Sequence, residues 1–343
     1  MTLLITGGGG FVMSNLARMW IEAHPGDRVV VLDAGPQDDI LERFWTPVAD
    51  RITYVRGSVL DAHLLERIGE EHRPDRILHA ATVTLFAPET PDGARIANPE
   101  TDAPATVLDV NIMGTVRLLE LARRLPELKC FVNLSSGGVY NDYGPEPPGS
   151  MPEEGWVDPP EFYGISKVAS EMIARQYGRN FGFAVCSCRL SGVYGPMDRW
   201  RPSRAYDCPP KAILYRALEG RPVLVNSLDG VGDHIHAQDV ARAMIALLEK
   251  SGGYDHDVYN VAQGQAVTVG ELLGMCREIV PGLTWEIAPP EACDVFADPR
   301  FAGGRWGAYD TSRIRAETGW TPMPMRTALA HYHGFIRDFG VTP

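Results

Sequence analysis

The chain has 343 residues, 45% hydrophobic and 22% charged, with a net charge of −12. That length predicts about two domains and a large apolar core without disulfide staples, while the acidic balance argues against a predominantly basic nucleic-acid surface. Glycine and proline are the unusual terms, at 35 and 27 residues, above ordinary usage but without the period of a collagen.

In chain order, TLLIT at residues 2–6 reads as a short strand, followed by Gly7-Gly8-Gly9-Gly10 and a helical stretch over 11–24. RVVVLD (28–33), ITYV (52–55) and ILHAA (77–81) read as further strands. A long helical stretch over 105–125 leads into the strand CFVNL (130–134), and a second helix over 161–180 leads into FAVCSCRL (183–190). Near-continuous apolar strands with helices between them predict a parallel sheet covered on both faces. Right-handed crossovers make it doubly wound. After about residue 191 prolines break the rhythm. A helix over roughly 211–219, a helix and strand at 238–250 and 256–262, and mixed segments at 268–280 and 311–339 follow. The expected organisation is an α/β fold with two interleaved parts. Residues 1–191 and 232–265 form the larger, and 192–231 and 266–343 a smaller, mixed α/β substrate domain.

No apolar run reaches the roughly 18 to 20 residues of a spanning helix, and the N-terminus lacks a basic, long-apolar signal pattern. Six scattered cysteines in a chain of this size fit reduced thiols, hence a cytoplasmic expectation. Cys186 and Cys188 share a strand face as core thiols. No metal site is expected, since the histidines show no ligand spacing and His234 with His236 lacks a completing cluster. Neither a phosphate loop of the ATPase type nor a fixed repeat is visible.

The strand, glycine run and helix at the N-terminus have the form that holds a pyrophosphate: glycine permits the tight turn, and the helix start offers unpaired N–H groups. Met13 stands where a third small residue is expected. Asp33 ends the second strand, placed to accept from an adenosine ribose diol and to repel a 2′-phosphate, which favours NAD over NADP. Tyr163 and Lys167, at i and i+4 on one helical face, suit acid/base work. A neighbouring ammonium favours the phenolate, which exchanges a proton with a substrate hydroxyl. Lys167 is also placed to hold a nicotinamide ribose. Ser135 and Ser136 follow the fifth strand, where open parallel sheets put ligands.

These motifs and their order, TGGGGFV, VVLDA, ILHAAT, NIMGT, LSSGGVYN, YGISK, CRLSGVYGP, GDHIHAQDVA and VYNVA, resemble the extended short-chain dehydrogenase/reductase family, its sugar-nucleotide epimerase and dehydratase branch. The resemblance spans nearly the whole chain and implies a Rossmann-type cofactor domain. It implies that Tyr163 is the acid/base, Lys167 its partner and Ser136 the third member of a triad. It places Gly7, Gly10, Phe11 and Val12 at the dinucleotide loop, Asp33 at the ribose, and Ser58, Val59, Ala80 and Ala81 along the cofactor. Asn111 matches a structural asparagine. A homodimer through helices 105–125 and 161–180 is a further implication, with a small-molecule substrate and neither nucleic acid nor membrane as partner.

The branches differ in the two residues directly after the serine. A dehydratase of this kind carries an Asp-Glu pair there, whereas this chain has Gly137-Gly138, so elimination chemistry is not expected. The arginine that commonly meets a diphosphate is replaced by Gly232. Arg199, Arg201, Arg204, Arg300 and Arg305 are available instead, since arginine suits bidentate phosphate binding. Thr84, Gly137, Gly138 and Tyr194 are expected to line the substrate pocket, shaped by proline- and glycine-rich loops at 86–104 and 141–160. The leading reading is an epimerase acting on a sugar nucleotide through a transient ketone. The alternatives are a dehydrogenase or reductase of a free sugar, sugar acid or other small alcohol, and a non-catalytic NAD-binding scaffold.

Overall fold

A computed structural model describes residues 1–84, 95, 97–140, 150–155, 157–200, 208–297 and 307–340. Seven parallel strands form the main sheet, in the spatial order Val258–Val261, Ala184–Leu190, Cys130–Ser136, Arg76–His79, Thr2–Thr6, Arg28–Asp33, Ile52–Arg56. Strand order reverses between Thr2–Thr6 and Arg76–His79, and such a switch point opens a crevice at the carboxyl ends of the strands.

Both faces of the sheet are buried. Leu3 and Ile5 enter a core with Val29, Val31 and the helices Phe11–Ala23 and Ala237–Glu249. Leu4, Val30 and Leu32 enter the opposite core with Leu118, Leu119 and Phe131. This is strand alternation with apolar residues on both sides, each fully buried one contributing about 1.5–3 kcal/mol. Cys186 and Cys188 lie together in the first of these cores as free thiols.

The long helical stretch begins as Pro99–Asp102 and Pro104–Leu108, widens into a π-turn at Asp109–Met113, and resumes over Gly114–Ala122. The second expected helix runs Phe162–Phe181. Two helices absent from the sequence reading are Asp39–Trp45 and Ala62–His72, started by the side-chain caps Asp38 and Asp61.

A separate apolar cluster joins the helices Pro209–Leu218, Val269–Ile279 and Met325–Phe339 to the paired strands Val223–Val225 and Trp285–Ile287. Within segment 232–265, helix Ala237–Glu249 and strand Val258–Val261 belong to the large layer. Strand Val231–His236 instead lies between Gly192–Tyr194 and Ala266–Thr268 in a three-stranded mixed sheet. Among the described residues no helix is long and apolar enough to cross a membrane.

Candidate active site

The glycine run makes the turn at the switch point. Gly7 has φ +68°, and a Cβ there would lie 3.0 Å from both the backbone N and Cα of Ala81. Only glycine fits such a left-handed, crowded position without strain. Gly10 caps helix Phe11–Ala23 with no side-chain hydrogen bond, so the first N–H groups face the crevice in the manner of an anion site. Asp33 closes the other side. Its carboxylate accepts from Gly9 N (3.0 Å) and Gly35 N (2.9 Å).

The Ala80–Ala81 turn is held over Gly7 by a buried relay. The Thr6 hydroxyl accepts from Ala80 N and Ala81 N, both at 3.1 Å, and therefore donates to His79 Nδ1 at 2.7 Å. His79 then carries its proton on Nε2, which donates to Thr115 Oγ1 at 3.1 Å, and Thr115 donates to Asn111 O at 2.6 Å. Burial and the nearby Lys167 push the His79 pKa down to about 3, so the ring is neutral. Asn111 uses its side chain as a clip. Its Oδ1 accepts from Val83 N at 2.7 Å, and its Nδ2 donates to Val83 O at 3.0 Å and Ser166 Oγ at 2.9 Å. It thereby ties the turn after the fourth strand to the helix carrying Tyr163.

A cleft of about 340 Å³ collects Gly7, Gly10, Phe11, Asp33, Ser58, Val59, Ala80, Ala81, Thr84 and Arg199. The expected cofactor residues are thus together, with one exception: Val12 packs against the first core instead. Of the residues expected to meet substrate, Thr84 and Arg199 line this cleft. Arg199 forms an ion pair with Asp38 at 2.5 Å.

Ser136, Tyr163 and Lys167 converge at the end of the fifth strand. Ser136 Oγ accepts from Gly138 N at 3.1 Å, and a Cβ on Gly138 would lie 3.4 Å from Ser136 Oγ and 3.7 Å from Tyr163 Cε1. Lys167 Nζ donates to Leu134 O at 2.9 Å and lies 5.6 Å from the Tyr163 ring centroid. Burial raises the Tyr163 pKa, opposed by its hydrogen bond with Ser136. Burial lowers the Lys167 pKa to about 8, opposed by Glu171. The expected phenol-acidifying effect of Lys167 is not seen at this site, where desolvation dominates.

Glu171, one turn beyond Lys167, was missed by sequence reasoning. It accepts two bonds from Arg189, at 2.9 and 2.7 Å, and one from Ser135 Oγ at 2.5 Å. The spacing 163, 167, 171 was the available signal. Glu100 was missed too. Its carboxylate accepts from the Phe162 and Tyr163 N–H groups and caps the helix from another segment.

Two glycines are explained by what occupies their side-chain space. A Cβ on Gly137 would lie 2.0 Å from the Tyr309 hydroxyl. A Cβ on Gly232 would lie 2.6 Å from His234 Nε2, a ring whose pKa burial lowers to about 4. Gly137 is accordingly buried beneath Tyr309, and Gly138 is the exposed member of the pair. Tyr194 does not reach a substrate surface. It is fully buried against His236 and Tyr332, because its strand faces the smaller core. Arg201, Arg204, Arg300 and Arg305, and about half of the loops 86–104 and 141–160, lie outside the described residues.

A switch-point cleft with a glycine turn and terminal aspartate, beside a Ser-Tyr-Lys group, defines a dinucleotide-dependent enzyme working at an alcohol carbon. The chain belongs to the NAD-dependent epimerase/dehydratase family, whose model matches residues 3–262. It is 30% identical to a dTDP-glucose 4,6-dehydratase of Streptomyces niveus, over 94% of this chain and 88% of that one. Among solved structures it resembles a UDP-glucose 4-epimerase of Thermotoga maritima with UDP-glucose (25% identity, 98% and 99% of the two chains, TM-score 0.78). The fold also matches a UDP-glucuronic acid 4-epimerase of Bacillus cereus (20% identity, 98% and 99%, TM-score 0.76).

Proposed function

We propose that the protein oxidises a secondary alcohol of a sugar nucleotide to a transient ketone and reduces it again, as an epimerase does. The observation that carries this reading is the Ser136–Tyr163–Lys167 group followed by two glycines, with Tyr309 against Gly137. Tyr163 takes the hydroxyl proton and returns it, Ser136 holds the same oxygen, and Lys167 supports the phenol's charge change. NAD, when bound, supplies the hydride acceptor and donor. Gly7, Gly10, Phe11, Asp33, Ser58, Val59, Ala80 and Ala81 would hold it. Neither Gly137 nor Gly138 supplies a side-chain acid or base for eliminating water, so a dehydratase reaction is not part of this reading.

A second reading is a net dehydrogenase of a free sugar or sugar acid. It is favoured by the neutral His234 ring in the space beside Gly232, where a nucleotide-sugar enzyme commonly carries its arginine. The test is a panel of UDP- and dTDP-sugars and free sugar acids with NAD, following both NADH absorbance and sugar isomers. Isomer exchange without net NADH supports the first reading. Stoichiometric NADH from a free sugar acid, with nucleotide sugars inert, refutes it.

We also propose the interleaved division at 1–191 with 232–265 and 192–231 with 266–343, a cytoplasmic setting for the free thiols, and a homodimer. Met113, Phe162, Ile165 and Met172 are exposed apolar residues on the helical segments expected to pair, and burying them is the driving force. Light scattering at micromolar concentration tests the dimer.

A further inference from the structure

Arg199 is the one side-chain cation among the described residues lining the 340 Å³ cleft, and Asp33 is the one anion. A dinucleotide brings two phosphate charges into such a cleft. Backbone N–H groups at the uncapped start of helix Phe11–Ala23 meet part of that charge. Arginine adds a planar donor fork that suits phosphate oxygens.

Its placement is built rather than incidental. Arg199 is only 8% exposed, and its guanidinium donates to Asp38, the residue capping helix Asp39–Trp45. The residues before it are anchored on both sides of the molecule. Asn15, on the glycine-loop helix, donates through Nδ2 to Pro196 O at 2.9 Å. Asp198 pairs with Lys211 at 3.9 Å, both fully buried, on the first helix of the smaller core. Between these anchors Met197 holds φ +71° while 1% exposed. A non-glycine residue kept in that region requires surroundings that over-determine it, and such residues cluster at ligand clamps.

We infer that Pro196–Arg199 is a strap across the mouth of the dinucleotide cleft and that Arg199 is a direct ligand of the cofactor's phosphates. The assignment rests on the dinucleotide reading of the cleft and moves Arg199 from the substrate to the cofactor. Asp38 orients the guanidinium, and the Asp198–Lys211 pair connects the strap to the smaller core. Cofactor retention is thereby linked to the part of the molecule that takes substrate.

Calorimetric titration of NAD, ADP-ribose and adenosine into the full-length, cofactor-stripped protein tests this. Arg199→Met keeps the aliphatic packing and removes the charge. It is expected to weaken NAD and ADP-ribose by a similar factor, about 10- to 100-fold for a charged hydrogen bond, and to leave adenosine unchanged. Asp38→Asn, which loosens the guanidinium without removing it, is expected to weaken NAD by a smaller factor, and it carries the test if Arg199→Met does not fold. Wild-type affinity for NAD and ADP-ribose in either folded variant overturns the assignment, as does an equal loss for adenosine. Wild-type protein that binds none of the three overturns the dinucleotide reading itself.

Discussion

Lys167 donates its ammonium to the main chain of Leu134 while standing 5.6 Å from the centre of the Tyr163 ring. Lysine and tyrosine are thus held on one helical face by a strand carbonyl, with Glu171 one turn further along the same face. The ammonium is buried, so its proton is held less tightly than in water. With Lys167 brought to about 8, the charged form fades as pH rises through 8. kcat/KM is expected to fall on the alkaline side with an apparent pKa near 8. Glu171 opposes the lowering, so Glu171→Gln is expected to move that limb to lower pH. A pH-rate profile of both proteins checks the direction.

Glu171 also has a structural load. Glu171 and Arg189 side chains are each 6% exposed, and breaking a buried pair by removing one partner costs about 3–5 kcal/mol. Glu171→Ala is expected to lower the denaturant midpoint strongly. Arg189→Met with Glu171→Leu, which removes both charges, is expected to recover much of that loss. Urea titrations of the single and double variants measure it.

Gly137 and Tyr309 share one space, so their substitutions should not be additive. Gly137→Ala places a methyl carbon 2.0 Å from the Tyr309 hydroxyl, and overpacking of this kind costs about 1–3 kcal/mol. In a Tyr309→Leu background the same change is expected to cost much less. A double-mutant cycle on thermal unfolding gives the coupling. Equal costs in both backgrounds would contradict the shared-space argument.

Gly7→Ala combines a φ of +68° with contact at 3.0 Å against the Ala81 backbone. The left-handed conformation alone costs an alanine about 1–2 kcal/mol, and backbone cannot yield as a flexible side chain does. Both a lower melting temperature and weaker NAD binding are expected, read by calorimetry on one preparation.

Much of the fold was legible because its signals are local. Near-continuous apolar runs such as RVVVLD, the Gly7–Gly10 turn and Asp33 at a strand end all lie within a few residues of chain. What escaped reading depends on distant contacts. Asn111 is recognisable only by family pattern until Val83 and Ser166 are seen around it. Arg199 looked like any available arginine, since nothing in sequence brings Asp38 to it across 161 positions. Tyr194 sits after an apolar strand near the expected pocket, but strand parity turned its ring into the smaller core. The glycine at 137 read as a missing acid, and only Tyr309, far along the chain, shows that its side-chain space is taken.

The central claim is a reversible oxidation at an alcohol carbon with Tyr163 moving the proton. It is tested most directly by incubating NAD-loaded wild-type and Tyr163→Phe proteins with a UDP- or dTDP-sugar and resolving the sugar isomers while recording NADH absorbance. Isomer exchange without net NADH is expected in the wild type, and a loss of at least about 100-fold in Tyr163→Phe, the scale of general acid–base catalysis. Undiminished exchange by Tyr163→Phe would contradict it.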